Sequence, residues 1–571
     1  MRFSIVLLAP FALALGACTA APLPELAAPA SAPAGAVSSA DPRATAAGEA
    51  ILAQGGSASD AAIAVMLALT VVEPQSSGIG GGGFLVRADA NTGALMTYDG
   101  RETAPAAATP TRFLDADGKI LPRETRVFSG LSVGVPGNVA LAAKAHAEHG
   151  RLPWAKLFEP AIALAEDGFV MNRRLFESLK GNKGRADKSA AAKAVFFGAD
   201  GEPLPVGTTI RIPELAATLR TLAAEGPEAI YGSTAAAALS AFVAGETPQD
   251  GRMTAADVTS YTAKEREPVC APYRAFRVCG MGPPSSGGIA VAQMLGQLER
   301  FDLAALGPDS PQFWHLFIES QRLAYADREL YSGDADFVEV PVSGLLDRTY
   351  LASRSALISP DTTIAKPVAG VPPGAPLARG DGPEEPEQGT THFAVVDAQG
   401  NAVSYTSTIE GAFGSGLHWR GFYLNNELTD FTLTPVADGK PVANRVEGGK
   451  RPRSSMAPTI VFDAQGKVVL VIGAAGGPTI PVTVARGIIG VLDFKLGAQD
   501  ALAMPFAMSF GDTLLIEEGS ALVAMQAELA ALGHTGIRIA PAPIKANALG
   551  RRADGSWEAA TEPRLVSVVT P

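Results

Sequence analysis

The chain has 571 residues, of which 47% are hydrophobic and 18% charged, and its 46 basic and 58 acidic residues give a net charge of −12. That composition describes a globular protein of one large or a few smaller domains, with ample apolar surface for a core. No Lys/Arg-rich run or basic stripe is present, which excludes nucleic acid as a partner on electrostatic grounds.

Arg2 and the apolar run "SIVLLAPFALAL" have the form of an export signal, too short for a transmembrane span. "LGAC" at 15–18 resembles a bacterial lipobox, so residues 1–17 are expected to be a signal peptide with Cys18 lipidated. Ordinary cleavage near Ala20 is the alternative. Lipidation would anchor the protein to a membrane on the periplasmic side. Residues 18–41 then read as an Ala/Pro-rich tether.

From about Pro42 the pattern becomes periodic. "RATAAGEAILAQGG" predicts a helix, and Ser57 with Asp60 forms a capping box for a second one. The apolar run Ala61–Val72 is too short to span a membrane and reads as a buried helix. "FLVRAD" and "LMTYDG" predict a hairpin, and helices follow over 137–149, 155–167, 211–224, 234–244 and 311–331. Cys270 and Cys279 lie in two short β-like runs around "APYRAF". Facing each other across a hairpin in an exported protein, they are expected to form a disulfide; two buried thiols are the alternative. The segment 366–389 carries six prolines in 24 residues and predicts a long irregular stretch. Beyond it come strands in "THFAVVD", "AVSYTST", "TIVFDA" and "VVLVIGAA", with helices over 481–493 and 497–503.

Three short motifs lack the context their chemistry needs. "GIGGGG" at 78–83 fits a dinucleotide loop, but a helix precedes it and a strand follows, the reverse of the required order. "GLSVG" at 130–134 fits a nucleophile elbow, yet Val135-Pro136-Gly137 stands where the helix should begin. His146 and His149 share a helix face with no third metal ligand nearby, and a solvated face is the simpler reading. No metal or cofactor is implied.

The composition changes abruptly at Gly389-Thr390, where a loose acidic segment meets a strand. A threonine hydroxyl needs an adjacent base to act as a nucleophile, and no histidine is positioned for it. Its own α-amine would serve, with an ordinary pKa of about 7.7 to 8.0 close to working pH. That requires Thr390 to become a chain terminus by cleavage after Gly389.

At these residues the sequence resembles the γ-glutamyltransferases (glutathione hydrolases) of the N-terminal-nucleophile superfamily. The motifs run in order from about residue 42: "AQGGSASDAAIAV", "GIGGGGF", "DGRETAP", "SVGVPG", "PPSSGG", "TTHFAVVD", "YLNNELTDF", "KRPRSSMAPTI" and "GAAGGPT". The resemblance implies an α+β fold, a four-layer αββα sandwich built from two chains of one self-cleaved precursor. The large chain would cover 42–389 and the small, catalytic chain 390–571. It further implies Thr390 as nucleophile, Thr408 as the hydroxyl that holds it, and Gly476 and Gly477 as oxyanion donors. Arg101 with Ser454 and Ser455 would clamp the substrate's α-carboxylate; Glu427 and Asp430 would accept its α-ammonium. The implied substrates are γ-glutamyl amides such as glutathione, with water, amino acids or peptides as acceptors.

Two departures bear on specificity. Glu410 stands where the family usually has asparagine, beside the ammonium. The segment 431–453 looks shorter than in lid-bearing members and has no tyrosine or tryptophan to cover the pocket. Two alternatives remain: a related acylase acting on glutaryl-type amides, and an envelope lipoprotein that keeps the fold only for binding. Intact Thr390, Thr408, Arg101 and Asp430 argue against the second.

Overall fold

The computed structural model describes Met1 and residues 35–376, 379–382 and 389–565. Cys18, the signal peptide and most of the tether lie outside the described residues. Helix α1 (Pro42–Ala53) begins where the Asp41 carboxylate accepts the Arg43 N–H, with Pro42 in the first turn, where its missing N–H costs nothing. Helix α2 (Ala58–Val72) begins on the expected capping box: the Asp60 N–H donates to Ser57 Oγ and the Ser57 N–H to the Asp60 carboxylate. Every residue of α2 is buried. No helix among the described residues is long and apolar enough to cross a membrane.

Among the described residues, twelve strands build two main sheets. In chain order they are β1 (Gly35–Ser38), β2 (Gly82–Ala88), β3 (Leu95–Asp99), β4 (Lys264–Arg266), β5 (Val269–Tyr273) and β6 (Phe276–Gly280), followed by β7 (Gly389–Asp397), β8 (Ala402–Glu410), β9 (Thr459–Phe462), β10 (Val468–Ala475), β11 (Lys545–Arg551) and β12 (Trp557–Thr561). The first sheet runs β1-β7-β8-β2-β3-β4 and the second β12-β11-β10-β9-β6-β5. All neighbours are antiparallel. Strands β7 and β8 pack on β10 and β11, while α2 covers the outer side of β7 and β8. On the second sheet α3 (Gly287–Leu298) packs on β5 and β6, α4 (Pro311–Tyr331) on α3, and α5 (Ile480–Leu492) on β10. The result is an αββα sandwich.

The strands at its centre are buried on both faces, and their side chains alternate between two cores. Phe393 and Val395 of β7 join Val403 and Tyr405 of β8 in the core under α1 and α2. Ala394, Val396 and Ala402 face the other way, into the core shared with Ile460, Leu470 and Ile472 of the second sheet. Even-numbered residues of β7 and β8 therefore point between the sheets. His392 obeys this parity: a Cβ on Gly473 of β10 would fall 2.4 Å from its ring. Burial pushes His392 down to about 3, so it is a neutral core side chain.

One boundary needs correction. The tether was expected to reach residue 41, but Gly35–Ser38 is an edge strand paired with Ala394–Asp397. Strand addition at an edge uses main-chain groups, so an Ala/Gly-rich segment can supply it without a strand-like pattern.

Cys270 and Cys279 stand directly opposite on β5 and β6 and are joined as a disulfide, S–S 2.10 Å. Closing so short a loop stabilises by about 2 to 3 kcal/mol. Alkylation of the protein without reductant, read by intact mass, should leave both cysteines unlabelled; two labelled cysteines would refute the pairing.

Candidate active site

Strand register creates the centre of the site. Thr390 lies opposite Thr408, and a bulge between Thr408 and Glu410 brings Gly389 opposite Glu410. Both threonines are even-numbered, so both hydroxyls point between the sheets. They lie 3.1 Å apart, and each donates to the Gly389 carbonyl at 2.7 Å. The Glu410 N–H donates to Thr408 Oγ1 at 2.7 Å, which fixes that hydroxyl's orientation. No side chain fits at the residue before Thr390: a Cβ on Gly389 would lie 2.5 Å from the Glu410 carbonyl oxygen. The glycine run of residues 78–83 serves a related purpose. A Cβ at Gly81 would fall 1.9 Å from the Thr408 carbonyl oxygen, so glycine there lets the loop close behind β8.

The two hydroxyls open onto a pocket. Its charged wall consists of Arg101, Arg328 and Arg453 together with Glu410, Glu427 and Asp430. Ser454, Ser455 and Gly477 complete the polar lining, so the pocket gathers nearly every residue singled out in the sequence. Gly476 is not part of that lining; it precedes Gly477 at the end of β10, and both have positive φ, 129° and 60°.

The connections within the wall differ from the expected division of labour. Arg101, buried after β3, is ion-paired to both Glu427 and Asp430, the two acids expected to await an ammonium. It also donates to the carbonyls of Pro452 and Arg453, at 3.2 and 3.0 Å. Ser455 Oγ accepts from Arg328 of α4 at 2.8 Å, while Ser454 Oγ accepts the Met456 N–H at 3.2 Å. Glu329 bridges Arg328 and Arg453. Glu410 accepts from Asn426 Nδ2 and sits at φ 72°, in the left-handed region.

Sequence reading missed Arg328 and Arg453. Arg328 lies in a helix where a lone arginine looks like a solvated residue, and only the fold brings it to Ser455. The set-aside motifs have ordinary partners. His146 Nε2 is 2.8 Å from the Leu152 carbonyl, His149 Nε2 is 2.7 Å from the Tyr98 hydroxyl, and Ser132 Oγ donates to backbone carbonyls. Among the described residues no group of three or more His, Cys, Asp or Glu is placed to hold a metal ion.

Residues 44–571 match the family model described as gamma-glutamyltranspeptidase. A glutathione hydrolase proenzyme of Bacillus subtilis is 40% identical over 82% of this chain and 80% of its own length. An acylase ACY 1 proenzyme of a Pseudomonas species is 35% identical over 94% and 95%. Among solved structures, a cephalosporin acylase from Bacillus halodurans superposes with a TM-score of 0.81 at 26% identity, covering 96% of this chain and 97% of its own.

Within this wall Glu427 titrates near neutrality. Burial pushes it up from 4.5 to about 7, against the pull of Arg101. Between those values the folded state binds a proton that the unfolded state does not, so Glu427 makes stability fall as pH rises through the window. Its stabilising contribution is complete below about pH 4.5 and gone above about pH 7. Urea unfolding of the wild type and Glu427→Gln should show the wild type losing ground to the variant across that interval. A difference that stays constant with pH would refute the raised carboxyl.

Proposed function

Because the chain belongs to the γ-glutamyltranspeptidase family, we propose that it is a self-cleaving γ-glutamyltransferase and glutathione hydrolase with Thr390 as its nucleophile. The observation that carries this reading is a pocket joining paired threonine hydroxyls to a wall of arginines and carboxylates.

In the precursor, Thr390 Oγ1 attacks the adjacent Gly389 carbonyl carbon and the Thr390 nitrogen leaves, giving an ester between Gly389 and Oγ1. Water then hydrolyses that ester, leaving a Gly389 carboxylate and a free Thr390 α-amine. The hydroxyl already lies against the Gly389 carbonyl, so the first step needs little chain movement. In the mature enzyme the α-amine takes the Oγ1 proton as the oxygen attacks the γ-glutamyl amide. Backbone N–H groups at Gly476 and Gly477 stabilise the oxyanion, and the leaving amine departs with the proton. The γ-glutamyl ester on Thr390 is then taken by water or by the amine of an amino acid or peptide. None of these steps calls for a cofactor or metal.

The charged wall favours a zwitterion. Arg101 is bound to Glu427 and Asp430. An α-carboxylate can take a place on Arg101 beside Ser454 and Ser455 while the α-ammonium compensates the displaced Asp430, with Glu410 close by. Every charge is paired again. A glutaryl group brings the carboxylate but no ammonium, and leaves a carboxylate without its partner. A second reading, an acylase of glutaryl-type amides, is favoured by the near-complete match in length to the two acylases. We also propose export and anchoring through Cys18, on the strength of the "LGAC" segment alone.

Three outcomes test the proposal. Thr390→Ala should remain one uncut chain without activity, while Thr391→Ala should still yield two fragments on a denaturing gel. An active, normally processed Thr390→Ala would end the nucleophile assignment. Leaving one hydrogen-bonded charge unpaired costs about 2 to 5 kcal/mol, or roughly 30- to 5,000-fold in kcat/KM. γ-Glutamyl-p-nitroanilide should exceed glutaryl-p-nitroanilide by that factor; equal values or the reverse order would promote the acylase. Glu410→Asn should keep most γ-glutamyl activity, since asparagine tolerates the positive φ better than glutamate and Asp430 remains.

A further inference from the structure

We propose that Lys545 is a positioning residue that holds the main chain of Thr390 against the turn carrying Gly476 and Gly477. The proposal rests on the assignment of Thr390 as nucleophile. Lys545 opens β11 and stands opposite Ala475, the last residue of β10, immediately before Gly476. Its Nζ donates to the Thr390 carbonyl at 2.5 Å and to Ser76 Oγ at 3.3 Å. Ser76 belongs to the loop between α2 and β2, and its Oγ also accepts from Arg174 at 3.1 Å. The Ser76 carbonyl accepts the N–H of Ile409, the residue after Thr408, at 3.4 Å. One amine therefore connects the segments that carry Thr390, Thr408 and the glycine pair.

The position makes this connection matter. β1 pairs with β7 only from Ala394 to Asp397, so Thr390 has a strand neighbour on the β8 side alone. A buried carbonyl there needs another donor, and Lys545 supplies it. Lys545 is absent from the pocket lining, so it acts through Thr390 rather than on the substrate. Burial and the nearby Arg174 hold its amine well below the ordinary lysine value. An amine keeps N–H donors in either protonation state, so the link does not depend on its charge. Once the Gly389–Thr390 bond is cut, Thr390 loses the covalent restraint on its N-terminal side. The carbonyl link is then what keeps Oγ1 and the α-amine in register with the glycine pair.

The test compares full-length wild type, Lys545→Met, Lys545→Arg and Thr390→Ala with γ-glutamyl-p-nitroanilide. Lys545→Met removes the donor and should lower kcat about 10- to 100-fold, the scale of one lost hydrogen bond near the reacting atoms, with KM changed by less than about threefold. Lys545→Arg keeps a donor and should recover most of that kcat. A merely structural role would lower the amount of folded enzyme without this split between kcat and KM. If Lys545→Met does not fold, Lys545→Gln, whose shorter amide cannot span the distance, is read in the same way. A kcat within about twofold of wild type in the donor-deficient variant, or no recovery in Lys545→Arg, overturns the proposal. Activity in Thr390→Ala would instead sink the nucleophile assignment beneath it, so the two failures are distinguishable.

Discussion

The pairing of β7 with β8 is the constraint on which the site depends. Side chains alternate faces along a strand, so slipping this pair by one residue would turn Thr390 toward α2 and bring Thr391 between the sheets. Several contacts make such a slip expensive. Phe393 and Val395 fill the core under the helices, and each buried side chain of that kind is worth about 1.5 to 3 kcal/mol. On the opposite face His392 fits over Gly473, where a side chain would collide with its ring. Ser404 Oγ donates to the Ile472 carbonyl and accepts the Thr459 N–H, fastening β8 to the second sheet. The hydroxyl pair is thus fixed by the packing of both sheets rather than by the flexibility of a loop.

The bulge at the end of β8 adds a second function to the same pairing. The extra residue lets the chain place Glu410 at positive φ, pass its N–H to Thr408 Oγ1, and present its carboxylate at the pocket. Bulges re-aim side chains in this way at sheet ends. The neighbouring loop contributes Asn426, whose Nδ2 donates to the Glu410 carboxylate and whose Oδ1 accepts the Gly411 N–H. Glu410 is consequently part of the mechanism that fixes the threonine pair as well as part of the charged wall. The N–H that fixes Thr408 belongs to the main chain, so substituting the Glu410 side chain alters the charged wall and leaves that hydrogen bond in place.

Much of this arrangement was legible in the sequence. The composition break at Gly389-Thr390, the capping box of α2, the helix 311–331 and the opposed cysteines all depend on local pattern. Their elements appear where expected. What escaped reading depended on distant partners or weak propensity. β1 hides in an Ala/Pro-rich segment, and β11, "KANALGR", contains no β-branched or aromatic residue to announce a strand. With β11 unseen, Lys545 had no reason to stand out. Arg328 and Ser455 are 127 positions apart, and no periodicity reports such a contact. The same limit hid the charge balance of the wall: Glu427 and Asp430 stand together in the sequence, whereas Arg328 and Arg453 join them only through the fold.

That balance changes the energetic problem of substrate binding. A wall of three carboxylates alone would attract any cation and resist desolvation. With Arg101 held between Glu427 and Asp430, the pocket is instead internally paired, and removing one partner of such a buried pair is costly. A ligand must therefore replace what it displaces. Asp430 is the more accessible partner, its side chain 27% exposed against 1% for Glu427, so the Arg101–Asp430 contact is the one that opens most readily. Glu427 would stay as the buried anchor that orients the guanidinium. An incoming group with a carboxylate and an ammonium a few bonds apart matches the resulting gap on both sides. Under the proposed γ-glutamyl reading, selectivity for an amino-acid terminus would come from replacing one ion pair with two, without requiring an aromatic lid over the pocket.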